Sequence, residues 1–286
     1  MLVHLVSRRR LDCRGAVGYD LAPMYPVLFR IGPLTIYGYG LMMAIAFLAA
    51  AYLTGKELDR KGFNGELAST LVLWAAVGGL IGARLLAILG DLEGFLANPL
   101  QSIFSGSGFV FYGGLIGGLV AVSWSMRRLH LPWALTVDCI APALPLGHGI
   151  GRIGCLLAGD GDWGKETTLP WGMAYPNAII GWHYPPGVRV HPTPIYEFLV
   201  YTLIFALLWS MRKRPQPNGT LFWWYLLLAP AARFLVEFVR INPRILFGLT
   251  EAQLTSVALM SIGAWKLLTA RGLQMTATAS ANASKQ

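Results

Sequence analysis

Several ionisable side chains lie inside stretches of apolar sequence, from which a bilayer should exclude them. A charge at mid-bilayer costs about 2.5–3.5 kcal/mol, so such groups persist only where they are paired or face a cavity. A single member could be a structural ion pair or, like Lys266 near a segment end, reach the interface. A set spread over several segments favours a functional site. The set comprises Arg84, Asp138, His148, Arg152, Glu197, Arg233, Glu237 and Lys266.

Two subsets have a spacing that puts them on one helix face. His148, Arg152 and Cys155 are at i, i+4 and i+7, and therefore share a face. Arg233 and Glu237 are four residues apart, which permits an intrahelical ion pair. Glu237 is then either an orienting neighbour of Arg233 or only its structural partner.

The first subset opens into a glycine-rich segment, 147–164. Glycines leave backbone N–H groups accessible and permit tight turns. A guanidinium beside such backbone suits bidentate phosphate binding, and in a bilayer the abundant anion is a phospholipid headgroup. The residues alone predict an anion site flanked by Arg152 and Arg233. Anchoring of structural lipids by these arginines is an equally good interpretation.

The composition is typical of a membrane protein. Of the 286 residues, 55% are hydrophobic and 13% are charged, against roughly a quarter charged in a soluble domain. This argues against a soluble enzyme, a disordered chain or a nucleic-acid binder. The net charge of +9 fits cytoplasmic loops and anionic lipids. The cysteines, Cys13, Cys139 and Cys155, form neither a disulfide framework nor a metal motif.

Apolar stretches of roughly 20 residues predict transmembrane helices. We predict an all-α polytopic membrane protein with about seven transmembrane helices and a small outer (periplasmic) cap at 159–192. The positive-inside rule places the cap outside, because Lys and Arg concentrate in the alternate loops. The predicted spans are 37–55, 68–90, 108–126, 133–155, 194–211, 219–238 and 254–270.

The two ends of the chain are predicted to lie outside this bundle. Residues 1–23 carry four arginines that contradict the predicted orientation, so they are a weakly structured extension or translation starts at Met24. The transmembrane domain covers 24–272, and the Ala/Ser/Thr-rich segment 273–286 is a disordered tail. The related motifs GGLIGA (78–83) and GGLIGG (113–118) are interpreted as close helix packing.

Seven motifs within residues 24–272 resemble those of the bacterial prolipoprotein diacylglyceryl transferases, in the same order. HGIGRIGC…GDGDWG (148–164) resembles the signature GRIGN…NGE…WG, and RFLVEFVR (233–240) resembles RFxxEFxR. The others are FRIGPLTIYGYGLM (29–42), GGLIGARL (78–85), FYGGLIGG (111–118), HPTPIYE (191–197) and FGLTEAQLTS (247–256).

The resemblance implies a reaction between two lipid-phase substrates. The diacylglyceryl group of phosphatidylglycerol moves to the lipobox cysteine thiol of a prolipoprotein, which forms a thioether and releases glycerol-1-phosphate. No metal or organic cofactor is implied. The implied setting is the bacterial inner membrane, with the site near the outer leaflet of a monomeric multi-pass protein. Its partners would be phosphatidylglycerol, the prolipoprotein signal peptide and membrane lipids, without nucleic acid.

The resemblance also implies residue roles. Arg152 would bind the phosphate of phosphatidylglycerol, Arg233 would stabilise the leaving phosphate, and Glu237 would orient Arg233. Tyr112 completes the implied catalytic set, in the place of a family histidine proposed to transfer protons, although a phenol is a poor base at neutral pH. The implied substrate-binding residues are Arg152, Tyr39, Gly113, Gly114, Asp160, Gly164 and His148.

Departures from the family pattern leave alternatives open. Three residues differ from the family pattern: Tyr112 replaces a histidine, Cys155 an asparagine and Ala229 a tyrosine. They leave the identity of the general base undetermined. His148 is a candidate, although packing is the favoured interpretation, and the substrate thiol could ionise in the field of the arginines. These departures motivate an alternative function, a phospholipid-binding membrane protein without transferase activity. A transporter is disfavoured because no inverted repeat is visible.

Several other roles also have two interpretations. Tyr39 is either a substrate contact or an interfacial anchor. Asp160 lies at the acidic position of the family motif, although one extra residue precedes Trp163. Calcium binding by the GDGD segment is disfavoured, because too few ligands surround it. Glu197 and His191 are expected to close the pocket structurally. Aromatic residues of the cap are predicted at headgroup depth: Trp163, Trp171, Tyr175, Trp182 and Tyr184.

Overall fold

The computed structural model describes residues 24–32, 34–104 and 109–283. Most of the described chain is helical, and two short antiparallel hairpins are formed by β1 (Val27–Ile31) with β2 (Leu34–Tyr37) and by β3 (Arg244–Leu246) with β4 (Leu249–Thr250). The predicted all-α membrane class is confirmed. The helices are α1 (Gly38–Arg60), α2 (Leu67–Gly90), α3 (Leu92–Ala97), α4 (Pro99–Phe104), α5 (Phe111–Arg128), α6 (Trp133–Ile140), α7 (Ala143–Ala158), α8 (Thr193–Met211), α9 (Thr220–Val236) and α10 (Glu251–Ala283).

Five helical segments of the described chain are long and apolar enough to cross a membrane. The predicted spans 108–126 and 254–270 overlap α5 and α10, but these helices do not meet the same measure. Glycines and a terminal arginine pair lower the hydropathy of α5, and polar residues lower that of α10. The multi-pass architecture is confirmed, and the count of seven spans stays a prediction. The five segments are Gly38–Arg60, Leu67–Gly90, Trp133–Ala158, Thr193–Met211 and Thr220–Val239.

The chain divides into two compact units, of which one is residues 47–143. Within it, α2 and α5 run antiparallel and pack through the two GGLIG motifs. A Cβ on Gly82 would collide with the backbone carbonyl of Gly113, and a Cβ on Gly113 would collide with that of Gly82. This contact supports the packing interpretation of the motifs. It also gives Gly113, an implied substrate-binding residue, a structural reason to be glycine.

The close approach predicts a position-specific effect of alanine on stability. Gly82→Ala is expected to lower the free energy of unfolding by about 1–3 kcal/mol, because the two helix backbones must separate. Gly79→Ala is the matched control, since its Cβ would lie at an ordinary 3.5 Å from the Gly114 carbonyl oxygen. Thermal unfolding in detergent micelles measures both variants. Equal melting temperatures for the two would contradict the packing account.

The other unit contains the two hairpins, α7 to α10 and the cap. The cap has its own small core, in which Trp163 and Tyr175 are buried and Trp182 and Tyr184 pack against them. Trp171, by contrast, is exposed. Four of the five aromatic residues predicted at headgroup depth therefore build the interior of the cap. The buried members of this core are Met24, Leu156, Trp163, Tyr175 and Val190.

The structure describes part of the predicted C-terminal tail and none of the predicted N-terminal extension. Residues 1–23, the predicted extension, lie outside the described residues. The backbone of α10 is helical as far as Ala283, which extends into the predicted tail at 273–286. Alanine at alternate positions from 277 to 283 favours this continuation, because alanine has the highest helix propensity.

Candidate functional site

Three arginines and three carboxylates meet in the unit that contains the cap. They come from three separate parts of the sequence, 152–162, 197 and 233–240, and together they tie α7, α8, α9 and the cap to one another. The side chains are Arg152 of α7, Asp162 of the cap, Glu197 of α8, Arg233 of α9, Glu237 of the following 3-10 turn (Glu237–Val239), and Arg240. We call these six residues the ion network.

Glu197 lies at the centre of the ion network and is only 1% exposed. Its Oε1 accepts a hydrogen bond from Arg233 Nη1 at 2.8 Å. Its Oε2 lies 3.0 Å from Arg152 Nε. A single buried carboxylate therefore holds the two guanidinium groups side by side, although they come from separate helices. This is the arrangement that a shared phosphate site requires.

Glu237 holds Arg233 from the other side. Its Oε2 lies 2.8 Å from Arg233 Nη2 and 3.5 Å from Arg240 Nε. Asn242 Nδ2 donates to Oε1 at 2.6 Å. The predicted intrahelical pair of Arg233 and Glu237 is thus present. Its geometry fits an orienting role and a structural role equally.

Asp162 and Arg240 join the cap to the end of α9. The two carboxylate oxygens of Asp162 contact Arg152 and Arg240 separately. Arg240 Nη1 also donates to the Asp162 backbone carbonyl at 3.0 Å, and Thr193 Oγ1 donates to the same carbonyl. The side chain of Arg240 is 6% exposed, against 17% for Arg152 and 20% for Arg233. Arg152 and Arg233 are therefore the members of this trio that a substrate can reach.

Asp162, two residues beyond Asp160, is the acidic partner of Arg152 in the cap. Between the two aspartates lies Gly161, whose φ of +92° is a left-handed conformation that glycine adopts without strain. The turn brings Asp162 back toward α7. Asp160 instead accepts a hydrogen bond from the Asp162 N–H at 3.2 Å. It has no arginine or lysine ion-pair partner among the described residues.

The two aspartates have opposite electrostatic environments. Burial disfavours ionisation of Asp162, but Arg240 and then Arg152 outweigh it and hold the pKa of that carboxyl below its ordinary value. Burial, followed by the nearby charge of Asp162, raises the pKa of Asp160. The arginines thus favour the carboxylate form of Asp162, whereas burial opposes ionisation of Asp160.

These opposite shifts predict different effects of pH on stability. A carboxyl whose pKa is lowered by folding stabilises the folded state above its unfolded pKa, about 3.9, and loses this contribution as pH falls through the folded pKa. Asp162→Asn should therefore melt below the parent at about pH 7, and the gap should narrow at about pH 3. Asp160→Asn, the matched control, should melt at or above the parent at neutral pH. A gap for Asp162→Asn that is the same at both pH values would contradict the pairing.

Three other predicted residues lie in the same unit. The ring of His148 stacks on Tyr201 with centroids 4.5 Å apart, which supports packing over base catalysis. Tyr39 is 43% exposed and lies against Gly154 on α7. A Cβ on Gly164 would collide with the Val239 carbonyl oxygen and the His191 side chain. Close packing therefore explains this glycine without substrate contact.

Tyr112 and Gly114 belong to α5 in the unit of residues 47–143, as does Gly113. Tyr112 lies edge-on to Phe111, with ring centroids 5.6 Å apart. Their implied roles stay predictions.

Cys155, Asp160 and Asp162 are the described side chains with the closest metal-ligand arrangement, with donor atoms within 4.8 Å of one another. Asp162 already contacts two arginines, whose positive charge opposes a bound cation. The cluster therefore fits a metal ion poorly. An anion or a polar neutral group suits the surroundings better.

Comparison with known proteins identifies the family. The family model described as prolipoprotein diacylglyceryl transferase matches residues 26–269. Proteins named phosphatidylglycerol--prolipoprotein diacylglyceryl transferase match most of the chain. The one from Clostridium tetani is 36% identical over 222 residues, which cover 77% of this chain and 87% of that protein. The one from Pseudomonas putida is 35% identical over 246 residues, which cover 82% of this chain and 90% of that protein.

A third relative with the same name, from Coxiella burnetii, is 35% identical over 254 residues, which cover 85% of this chain and 94% of that protein. These matches confirm the family predicted from the motifs and the predicted transferase function. The chain belongs to the prolipoprotein diacylglyceryl transferase family.

Proposed function

We propose that this chain transfers the diacylglyceryl group of phosphatidylglycerol to the lipobox cysteine of a prolipoprotein. The names of the relatives supply both substrates. The observation that carries the residue assignment is the buried carboxylate of Glu197, which holds Arg152 and Arg233 side by side. A phosphodiester bound there would meet two guanidinium groups at once.

The ion network leaves N–H groups free for such a ligand. Its three arginines and three carboxylates balance in charge. Among contacts in the described chain, none uses Nη2 of Arg152 or Nε of Arg233. These N–H groups, on the more exposed arginines, are available to phosphate oxygens. Glu197, Glu237 and Asp162 fix the guanidinium planes, so that little reorganisation is needed when the substrate binds.

The chemistry follows from this placement. The substrate thiolate attacks the terminal glyceryl carbon of the diacylglyceryl group and forms the C–S bond. The C–O bond to phosphate breaks, and its electron pair stays on the phosphate oxygen of glycerol-1-phosphate. Negative charge on the phosphate grows during this step. Arg152 and Arg233 therefore bind the transition state more strongly than the ground state, which is the requirement for catalysis.

The proton of the substrate thiol needs an acceptor. Because the His148 ring stacks on Tyr201, we favour ionisation of the thiol in direct contact with the uncommitted N–H groups of Arg152 and Arg233, with the proton passing to water. Tyr112, in the other unit, is the alternative acceptor implied by the family motif. Tyr39 and Gly114, which lies two residues after Tyr112 in α5, are proposed to contact the substrate.

The protein is proposed to act as a monomer in the bacterial inner membrane, with the site near the outer leaflet. The basic segments 56–67, 127–132 and 212–218 support this orientation by the positive-inside rule. The cap at 159–192, which contributes Asp162 to the ion network, then lies on the outer side.

A transfer assay tests the proposed function. Purified protein is incubated in detergent with phosphatidylglycerol and a lipobox peptide, and mass spectrometry detects the diacylglyceryl-peptide. A peptide with serine in place of the cysteine is the control and should not be modified. Binding of phosphatidylglycerol without peptide modification would favour the alternative, a phospholipid-binding protein of this fold. Cys155 and Ala229, with Tyr112, are the departures that motivate that alternative.

A further inference from the structure

Asp160 differs from the other carboxylates around the ion network. Asp162, Glu197 and Glu237 each contact at least two arginines. Asp160 has no such partner in the described part of the chain. Its neighbours are the backbone N–H of Asp162, which donates to it, and the thiol of Cys155 within 4.8 Å, a weak donor. A partly exposed carboxylate next to a phosphate site therefore keeps most of its hydrogen-bond capacity.

Polar groups beside Asp160 are also incompletely bonded. Asp160 interacts electrostatically with the phenols of Tyr39 and Tyr175. Tyr175 is 1% exposed, yet its hydroxyl has no hydrogen-bond partner among the described residues, and the same holds for the indole N–H of the neighbouring Trp163. Buried donors of this kind are costly to leave unpaired. These two donors lie within the core of the cap, so a ligand that carries hydroxyl groups would pair with Asp160 itself.

The spacing matches one phospholipid headgroup. The carboxylate of Asp160 lies within 4.8 Å of the carboxylate of Asp162, and Asp162 contacts Arg152 directly. A three-carbon diol esterified to a phosphate on Arg152 can reach this far. The side-chain oxygens of Asp160 would then face the end of the headgroup opposite the phosphate.

We propose that Asp160 accepts hydrogen bonds from the glycerol hydroxyls of the phosphatidylglycerol headgroup and thereby selects this donor lipid. The inference rests on the proposed function and deepens it. A carboxylate is an acceptor-only group, so it favours a neutral diol over a second acidic group. A site built to bind a hydroxyl also rejects an analogue without it, because the polar group of the site is left unpaired. Asp162 has a separate task, which is to position Arg152.

The test compares two anionic lipids with equal acyl chains. Phosphatidylglycerol and phosphatidyl-1-propanol share the phosphate and the three-carbon unit, but the second has no hydroxyls. Their dissociation constants for the parent protein and for Asp160→Ala and Asp162→Asn are measured in detergent. The parent should bind phosphatidylglycerol more tightly, and this preference should fall roughly 10-fold or more in Asp160→Ala. Asp162→Asn should weaken both lipids by a similar factor and keep the preference.

Each outcome bears on one claim. An unchanged lipid preference in Asp160→Ala, or no preference in the parent protein, would overturn the assignment of Asp160. Asp160→Asn supplies a second variant of nearly unchanged shape, in which the amide offers one acceptor oxygen and the preference should fall by an intermediate factor. Failure of the proposed function is distinguished by the transfer assay, in which the parent would bind phosphatidylglycerol but not modify the lipobox peptide.

Discussion

Replacing Arg152 with lysine is expected to lower kcat/KM for diacylglyceryl transfer by about 10²-fold or more, even though the positive charge is retained. Arg152 uses different nitrogens for Asp162 and Glu197, and a further N–H remains for the substrate. A lysine ammonium cannot hold this planar arrangement. Removing one group that stabilises developing charge typically costs 10²–10³-fold, roughly the effect expected here.

The measurement is the initial rate of peptide modification as a function of phosphatidylglycerol concentration. Arg214→Lys is the matched control, because Arg214 is exposed in the loop after α8 and the same substitution there should leave the rate unchanged. Fluorescence-detected size-exclusion chromatography checks that both variants fold. Transfer by Arg152→Lys at more than about half the parent rate would contradict the proposed phosphate site.

Glu197→Gln is expected to have the largest effect on stability, with activity lost in parallel. The glutamine retains the shape but removes the negative charge that lies between Arg152 and Arg233. Removing one partner of a buried ion pair typically costs about 3–5 kcal/mol, because the remaining charge is left uncompensated. The two guanidinium groups should then repel each other and separate.

The melting temperature in detergent measures this effect, and the transfer assay measures its consequence. Glu166→Gln is the matched control, since Glu166 is an exposed residue of the cap. Its melting temperature should be that of the parent. If Glu197→Gln melted at the same temperature as the control, the buried carboxylate would not be the element that holds the arginines together.

The sequence was sufficient to predict the convergence of Arg152 and Arg233, for a physical reason. A guanidinium in an apolar helix needs a partner or a cavity, and two such groups on separate spans have few ways to satisfy that need. The role of Glu197 was harder to predict. Its position near the start of α8 is visible in the sequence, but its distance from each arginine depends on how three helices pack.

The pairing of Arg152 with Asp162 was not predicted, for a different reason. Counting along the GDGDWG segment places Asp160 at the family's acidic position, but it does not show which carboxylate reaches Arg152. Gly161 adopts a left-handed conformation, and Asp162, which follows it, contacts Arg152. Arg240 also escaped the sequence argument, because a residue in a loop between spans is normally interpreted as a surface charge.

The glycine motifs illustrate how one residue type supports two interpretations. GGLIGG resembles a family motif, which implied that Gly113 contacts the substrate. The same glycine opposes Gly82 with no space for a Cβ. A single sequence cannot distinguish a glycine needed for helix packing from one needed for a ligand. The collision of a hypothetical side chain shows that packing alone requires glycine at this position, and the implied contact of Gly113 with the substrate stays a prediction.

The equal numbers of arginines and carboxylates in the ion network have a consequence for how the protein works among lipids. A cavity with a large excess of positive charge would be plugged by whichever anionic lipid arrived first. Here the opposite charges cancel within a few ångströms, so the ion network projects little field into the bilayer. Encounter is then governed by lateral diffusion and shape, and the transfer rate should change little with ionic strength.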